Sequence, residues 1–514
     1  MSLPSYGWVC PCTVWLNPLF VQVRFFLIIM RRNSQGKVPD IFCLPPMTFS
    51  QMLQYFALLV VLSSSGDVVK AGRRSGKVFI YSGHPGDKGA AKANTALMTR
   101  MLQQLGTGET LHVPNDTFWM TGGLRAVDLA RDVTIVLDGT LSFLPGREGW
   151  PTKNCSDGHH NPLQPVKDGT CVQEAFFIAN VSGLSLTSSE GMAGTLFGSG
   201  ESWWGYLSYL KHGEDRPRLL SIVNGTSMLV ERWRFEQSAC WTFTAFDVLD
   251  LEIRHCFISN RVSKTDDWHD VWNLDAFNTD GFDVAGKNIH IHDSEVWNQD
   301  DCFTIQPLDD TATNAKCTEN VLVENVNASG LGLTVGAIHP SRGHTCIRNI
   351  TFRHARMHHT FKGIYIKSGS SFDPKASGEI TNILYDDIVM DTPSQVPIWI
   401  GPAQEADSKG ACSLLWPKLS NYCPPPPPTV AWTNITLRNI QVLNAKQSPG
   451  VVLGNPAQPM QGLLFDNVVF SPADSSKGPW GDKFYYCEGV GAGAAVNGSF
   501  PVPPCFDARP DVVI

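Results

Sequence analysis

Three aspartates in two short strings have the residue types and the spacing that acid–base chemistry requires. Residues 278–283 are NTDGFD and contain Asp280, and residues 298–303 are NQDDCF and contain Asp300 and Asp301. Crowded carboxylates repel each other, so at least one of them is expected to keep its proton near the working pH. A glycosidase needs such a set, because one carboxyl group protonates the leaving oxygen while another activates a water molecule.

The separation of 20 residues between Asp280 and Asp300 indicates how a fold would bring them together. Stacked repeats have periods of about 20 residues or more, and neighbouring strands lie about 4.8 Å apart. Residues one coil apart in a parallel β-helix therefore stand side by side. A calcium site or a set of turn-capping aspartates is the alternative interpretation. The flanking strand pattern would bury these residues on a sheet face, which favours catalysis.

Two series of short β-branched segments alternate along the chain from about residue 130. Segments of one series open with an asparagine, as at Asn288, Asn320 and Asn349, and the other series includes GFDV at 281, CFTI at 302 and GIYI at 363. This pattern predicts an all-β, single-domain parallel β-helix over residues 76–514. A β-propeller is the rival fold, but its blades carry four strands. The recurring asparagines either suit turns or form hydrogen-bonded ladders.

Residues 91–104 have Ala, Leu and Met at helical spacing and predict an N-terminal capping helix. Such a helix would cover the first rung, because an open sheet edge invites aggregation.

Charge and cysteine usage indicate an extracellular protein. The net charge of −8 argues against nucleic acid and anionic membrane surfaces as partners. Among 14 cysteines, four close pairs predict disulfides: 155 with 171, 317 with 346, 412 with 423 and 487 with 505. Eight N-x-S/T sequons agree with secretion and glycosylation: 115, 154, 180, 224, 327, 349, 434 and 497.

Residues 1–70 are interpreted as a leader. The sequence ALLVVL at 57–62 is typical of a signal-peptide core, which we place at about 53–65. An earlier apolar stretch, 14–30, is either a membrane anchor or a sign that the chain is assigned too early a start; the second interpretation is favoured. No later segment is long and apolar enough to predict a membrane span.

The pair NTDG and NQDDC resembles the polygalacturonase family, glycoside hydrolase family 28, over residues 76–514. The resemblance implies a right-handed parallel β-helix and a secreted, inverting hydrolase of the pectin backbone. It implies that Asp300 is the general acid and that Asp280 and Asp301 share the base role. A pectic polysaccharide is then the expected partner of a monomeric enzyme that uses no cofactor or metal and has no stable membrane partner.

Two motifs of that family are altered here. The usual Gly-His-Gly is replaced by Gly-Leu-Gly at 330–332, and the usual Arg-Ile-Lys by Tyr-Ile-Lys at 365–367. Lys367 is retained and is expected to bind a sugar carboxylate as a point charge. Further predicted substrate contacts are Tyr365, Asn278 and Gln299. His339 or Arg342 could compensate for the lost His and Arg, although solvated loop residues are the simpler interpretation.

Several functional alternatives stay open from the sequence. Long loops at 307–319 and 401–430 favour exo action, because they can close one end of a cleft. The substrate is either homogalacturonan or the rhamnose-containing backbone, and the altered motifs also admit an exo-rhamnogalacturonan hydrolase or an α-L-rhamnosidase-like enzyme. A non-catalytic β-helix that binds cell-wall polysaccharide is a different class. A pectate lyase would need a calcium cluster and an arginine base, and no arginine adjoins the aspartates.

Overall fold

The structure is a computed structural model that describes residues 28–30, 41–43, 76–79, 83–84, 86–154, 170–205, 215–261, 275–341, 343–370, 372–405, 411–471, 478–480 and 485–507. The chain divides into two compact units, 1–74 and 75–514. In the first, β1 (Ile28–Met30) pairs antiparallel with β2 (Ile41–Cys43). The predicted signal core lies outside the described residues. Among the residues that the structure describes, no helix has the length and apolar character needed to cross a bilayer.

The regular secondary structure of the second unit consists almost entirely of strands. Those up to residue 259 are β3 (Gly76–Val78), β4 (Thr110–Val113), β5 (Thr117–Met120), β6 (Leu124–Val127), β7 (Thr134–Leu137), β8 (Thr140–Phe143), β9 (Thr152–Asn154), β10 (Thr170–Val172), β11 (Phe176–Ser182), β12 (Ser185–Thr187), β13 (Gly194–Phe197), β14 (Leu220–Glu231), β15 (Trp233–Glu236), β16 (Phe243–Arg254) and β17 (Phe257–Ser259).

The later strands are β18 (Phe282–Trp297), β19 (Asp301–Ile305), β20 (Thr318–Ser329), β21 (Gly332–Ile338), β22 (His344–His358), β23 (Ile364–Ser368), β24 (Ser377–Asp391), β25 (Ile398–Pro402), β26 (Gln404–Glu405), β27 (Cys412–Ser413), β28 (Val430–Leu443), β29 (Gly450–Leu453), β30 (Met460–Ser471), β31 (Tyr485–Glu488) and β32 (Val490–Val496). The helical elements are α1 (Ala91–Gln103) and two 3₁₀ turns, Lys88–Ala90 and Gly200–Ser202.

The coils alternate a long, bent strand with a short one. The long strands stack in parallel in the order β14, β16, β18, β20, β22, β24, β28, β30 and β32. The short strands β19, β21, β23, β25, β29 and β31 form a second parallel stack. This is the predicted parallel β-helix, and the short stack is the face that carries the NQDDC and Tyr-Ile-Lys segments.

The core lies inside the coil and consists of apolar side chains stacked from rung to rung. From the start of β18 and along the short stack, Phe282, Phe303, Leu333, Ile364 and Ile398 occupy successive positions in register, and all are fully buried. Because side chains alternate along a strand, the residue after each of these faces outward. The same alternation points Thr334, Tyr365 and Lys367 away from the core, whereas the register is irregular between Asp301 and Phe303.

Asparagines form a ladder at the bend of the long strands. The side-chain amides of Asn288, Asn320, Asn349, Asn382 and Asn434 are hydrogen-bonded in sequence at 3.1–3.4 Å. All five have φ between +55° and +58°, a left-handed conformation that asparagine tolerates better than most residues. Of the two interpretations of these asparagines, the ladder is confirmed.

The predicted capping helix is confirmed as α1. It buries Met98 and Leu102, and the Asn94 side chain donates to the Trp119 carbonyl of β5. The Asp87 side chain caps the preceding 3₁₀ turn by accepting from the Gly89 N–H. The helix thereby covers the apolar end of the first coil.

Three of the predicted disulfides are present, Cys317–Cys346, Cys412–Cys423 and Cys487–Cys505. Cys171 is also disulfide-bonded, and its predicted partner Cys155 lies outside the described residues.

Candidate active site

Adjacent coils bring the two aspartate strings together. The Gly281 N–H donates to the Asp301 carbonyl at 2.8 Å, which places Asp280 beside Asp300 and Asp301. A Cβ at position 281 would lie 2.2 Å from the Cys302 carbonyl oxygen, so this close approach requires glycine. One carboxyl oxygen from each of the three aspartates lies within 4.8 Å of the other two.

Asn298 holds the two strings in register. Its buried side-chain amide donates to the Thr279 carbonyl at 3.0 Å and to the Asp301 carbonyl at 2.8 Å. On the next coil, a Cβ at Gly330 would meet the Asn298 side-chain oxygen at 1.9 Å. The sequence places Asn298 in the diagnostic string, but only the hydrogen bonds identify it as a positioning residue.

The three carboxyl groups have different hydrogen-bond partners. Asp300 accepts from the backbone N–H groups of Asp301 at 2.9 Å and Asn278 at 3.1 Å. Asp301 accepts from the Thr334 hydroxyl at 2.5 Å and from the Lys367 ammonium at 2.6 Å. Among the described atoms, the buried Oδ1 of Asp280 has no hydrogen-bond partner. Asp301 is therefore the anchored member, whereas one oxygen of Asp280 is left without a hydrogen-bond partner among the described atoms.

Burial and mutual repulsion favour the protonated forms in this set. Burial first, and then the charge of Asp300, raises the pKa of Asp280 well above its usual range. Burial and the charge of Asp301 raise the pKa of Asp300 to about 6. A fourth buried carboxyl, Asp283, has its pKa raised to about 7 by burial and by Asp301. Groups this close titrate together, so the set holds at least one proton at mildly acidic pH.

The calcium interpretation fits this arrangement less well. Both Asp301 oxygens already accept hydrogen bonds, from Thr334 and Lys367. The Lys367 ammonium also places a positive charge next to any cation that the aspartates would bind, which disfavours the cation by repulsion. The donor set thus resembles an acid–base site more than a metal cage.

Three of the predicted substrate contacts line the same pocket, and each has a protein partner. The Asn278 backbone N–H binds Asp300. The Gln299 side-chain oxygen accepts from the Ala276 N–H at 2.7 Å. The Tyr365 hydroxyl accepts from the Gln404 N–H at 2.9 Å. Their contact with substrate stays a prediction, and each has a structural role in addition.

Lys367 has a role beyond the predicted one. It lies on β23, two coils beyond the aspartate string, and its ammonium forms the ion pair with Asp301. Sequence reasoning expected it to determine affinity for a sugar carboxylate more than chemistry. The ammonium also contacts a carboxylate of the aspartate set, so Lys367 has a structural role there, and its binding of a sugar carboxylate stays a prediction.

The altered Gly-Leu-Gly motif adjoins the aspartates. The Leu331 N–H donates to the Asp300 carbonyl at 2.6 Å, and the Leu331 side chain lines the pocket. His339 also lines the pocket, where its enclosure and the charge of Lys367 lower its pKa. Arg342, the other suggested compensating residue, lies outside the described residues.

The pocket has a volume of about 810 Å³ and a mixed lining. Its polar residues include the aspartates, Lys367 and Lys362, and its apolar residues include Trp241, Phe277 and Phe361. Sequence reasoning missed Lys362, which lies five residues before Lys367; the only sequence signal is a lysine directly before the Gly-Ile-Tyr-Ile-Lys segment.

A parallel β-helix with clustered carboxyl groups in a pocket is typical of β-helix glycosidases. Comparison with known proteins agrees with this class. Residues 106–479 match the family model Glycosyl hydrolases family 28, and the chain belongs to this family. A probable endopolygalacturonase C of Aspergillus aculeatus is 25% identical over 330 residues, which cover 64% of this chain and 71% of that protein. An α-L-rhamnosidase of Aspergillus niger is 25% identical over 46% of this chain and 48% of its own length.

Solved structures agree on the right-handed parallel β-helix. The polygalacturonase from Erwinia carotovora superposes with a TM-score of 0.57 at 18% identity, over 83% of this chain and 98% of that chain. The endo-xylogalacturonan hydrolase from Aspergillus tubingensis superposes with a TM-score of 0.53 at 19% identity, over 81% and 96%. These likenesses concern the fold. The family match and the named relatives establish a glycosyl hydrolase of a pectin-degrading family.

Proposed function

We propose that this protein is a secreted glycosidase that cleaves the backbone of pectin with inversion, acting from a chain end. The observation that carries the proposal is the set of three aspartates whose carboxyl oxygens meet within 4.8 Å in one pocket. Such a set contains both the proton that a leaving oxygen needs and the carboxylates that activate water.

In this proposal Asp300 is the general acid. Its pKa of about 6 keeps it protonated at mildly acidic pH, and its two backbone hydrogen bonds hold it in place. Asp280 and Asp301 bind and activate the water. Lys367 and Thr334 orient Asp301, and the unpartnered Asp280 oxygen is the acceptor for a proton of that water.

Inversion requires that water, and not a carboxylate, attacks the sugar carbon. The carboxyl oxygens here are closer than in most inverting enzymes, whose two carboxyl groups lie about 6.5–9.5 Å apart. However, Asp301 is held through both oxygens by Thr334 and Lys367, so it is not free to attack the sugar carbon. We therefore expect proton NMR to show the β-anomer as the first product from an α-linked substrate. Initial release of the α-anomer would contradict inversion.

Exo action is supported by two loops that contribute residues to the pocket lining. Pro307 and Asp309 from one loop line it, as do Glu405 and Leu414 from the other. The Cys412–Cys423 disulfide closes the second loop. An exo enzyme releases small sugars from the outset while the viscosity of the polymer falls slowly.

The substrate is a galacturonate-containing backbone, either homogalacturonan or the rhamnose-containing form. Leu331 places an apolar side chain beside the acid, which suits a neutral sugar at the cleavage point, and one of the relatives is an α-L-rhamnosidase. Activity resembling that enzyme is therefore the second candidate. The disulfides agree with an extracellular site of action.

Digestion of defined galacturonan and rhamnogalacturonan oligomers tests the proposal. We expect hydrolysis of at least one series, with kcat/KM higher where a neutral sugar adjoins the cleaved bond. Strong activity on unbranched galacturonan alone would instead make this an ordinary polygalacturonase. Absence of hydrolysis on both series, with a folded protein, would favour a non-catalytic polysaccharide-binding β-helix.

A further inference from the structure

Lys362 is a buried cation in the wall of the active-site pocket. It is only 3% exposed, lies just before β23 and lines the same pocket as the aspartates. Burying an ammonium group is costly unless other groups replace the water that it loses. The partners of this side chain therefore indicate what it is built to bind.

The protein partners of the Lys362 ammonium are neutral. Its Nζ donates to the Gln395 side-chain oxygen at 2.9 Å, and lies 4.8 Å from the Tyr365 ring centroid and 5.3 Å from that of Trp399. An ammonium has three N–H donors. In the described part of the chain, no carboxylate forms an ion pair with Lys362, whereas Lys367 is paired with Asp301 at 2.6 Å.

Both lysines contact the ring of Tyr365. The Lys367 ammonium lies 4.6 Å from the Tyr365 ring centroid, close to the distance for Lys362. The two ammonium groups thus share one ring, and only that of Lys367 is neutralised by the protein. Burial and the charge of Lys367 lower the pKa of Lys362 to about 8, so the group is still a cation at mildly acidic pH.

The location of Lys362 indicates which part of a substrate it would meet. Lys362, Asp300 and Asp301 line the same pocket, and the charges of the two aspartates favour the protonated form of the lysine. A carboxylate on a sugar next to the cleaved bond is an anion of suitable size, and it would accept hydrogen bonds from the remaining ammonium donors. Tyr365 occupies the place of the arginine in the usual Arg-Ile-Lys motif, and its side chain carries no positive charge that could bind this carboxylate.

We propose that Lys362 binds the carboxylate of a galacturonate residue next to the scissile bond, so that Lys362 and not Lys367 is the main reader of the acidic sugar. This assignment rests on the proposed function for its substrate class. It makes Lys362 a specificity-determining residue, while Lys367 holds Asp301 in place through their ion pair.

The test separates binding from catalysis by using a chain with Asp300→Asn as the background. Calorimetry compares trigalacturonate with its carboxyl-reduced, neutral counterpart. Adding Lys362→Met should weaken trigalacturonate binding by about 10- to 100-fold, the effect of one charge-assisted hydrogen bond, and leave the neutral trisaccharide unaffected. Lys92→Met, which removes the same charge from the exposed side of α1, should change neither.

A second variant keeps the lysine and the fold. Gln395→Glu supplies a carboxylate where the amide oxygen now accepts from Lys362, so it should also weaken trigalacturonate binding selectively. The proposal is overturned if the background chain does not prefer the acidic trisaccharide, if Lys362→Met leaves that preference intact, or if both sugars lose affinity equally. If the wild-type protein hydrolyses no pectic oligomer but the preference depends on Lys362, the proposed function fails and the binding assignment stands.

Discussion

A conservative substitution of Asp300 tests its proposed role as the general acid. Asp300→Asn keeps the shape but removes the transferable proton; because the two backbone N–H groups donate to different carboxyl oxygens, the amide retains an acceptor for only one of them. We expect kcat to fall by about 10²- to 10⁴-fold, with circular dichroism and Tm close to those of the wild type. Near-normal activity of the purified variant would show that another carboxyl group, with Asp280 the first to examine, is the proton donor.

The pH dependence of activity should report the titration of the same carboxyl set. Because Asp300 must be protonated to act and its pKa is about 6, kcat/KM should fall as the pH rises through about 6. The charge of Lys367 lowers the pKa of Asp300. Lys367→Met should therefore move the alkaline limb to higher pH while lowering kcat, because Asp301 loses its ion pair.

Lys92→Met is the matched control for Lys367→Met, since it removes one charge outside the pocket lining. Its pH profile should overlay that of the wild type. An unchanged alkaline limb in Lys367→Met would mean that the limb belongs to a group that does not sense Lys367.

At the scale of the elements, the asparagine ladder explains the repeated asparagines. Asn349 donates to Asn320 and accepts from Asn382, at φ +56°. Asn349→Ala removes both hydrogen bonds of the ladder. It also places alanine, which disfavours a positive φ, at this position. We expect a loss of about 1–3 kcal/mol and a lower Tm.

Asn349→Gly distinguishes the two causes, because glycine accepts the positive φ but makes no ladder bond. A Tm between those of wild type and Asn349→Ala is expected. Equal Tm values for the two variants would assign the whole effect to the hydrogen bonds.

The ladder also bears on glycosylation. Asn349, Asn434 and Asn224 are sequons whose amide nitrogens donate within ladders, and this nitrogen is the atom that would carry a glycan. Asn115 and Asn327 are exposed sequons outside the ladders. Glycopeptide mass spectrometry of the secreted protein should find high glycan occupancy at the two exposed sequons and low occupancy at the three sequons in the ladders. Higher occupancy at the ladder sequons would contradict this prediction.

At the scale of the whole molecule, the leader prediction concerns the boundary between the two units. An apolar core that ends near residue 62 predicts that the secreted form begins between about residues 63 and 78. N-terminal sequencing of the secreted protein tests this. Recovery of a membrane-bound form that keeps Cys10 and Cys12 would instead support the anchor interpretation of residues 14–30.

The local sequence pattern was sufficient to predict the repeating architecture and the proximity of the aspartates. Alternation of side chains and a repeat of about one coil bring Asp280 next to Asp300, and both properties are read along the chain without knowledge of distant contacts. The capping helix and three disulfides followed from spacing in the same way. These features depend on neighbours one coil away at most.

Contacts that cross several coils or loops were decided only by the tertiary structure. Lys362 and Lys367 are both lysines five residues apart, and the sequence does not distinguish the one paired with Asp301 from the one beside neutral Gln395. The ladder bonds of Asn349 and the positioning role of Asn298 were likewise not determined by residue type. The sequence alone determined which residue types are available for acid–base chemistry. The stacking of the coils decided the partners and the burial of each group, because these depend on residues far apart in the chain.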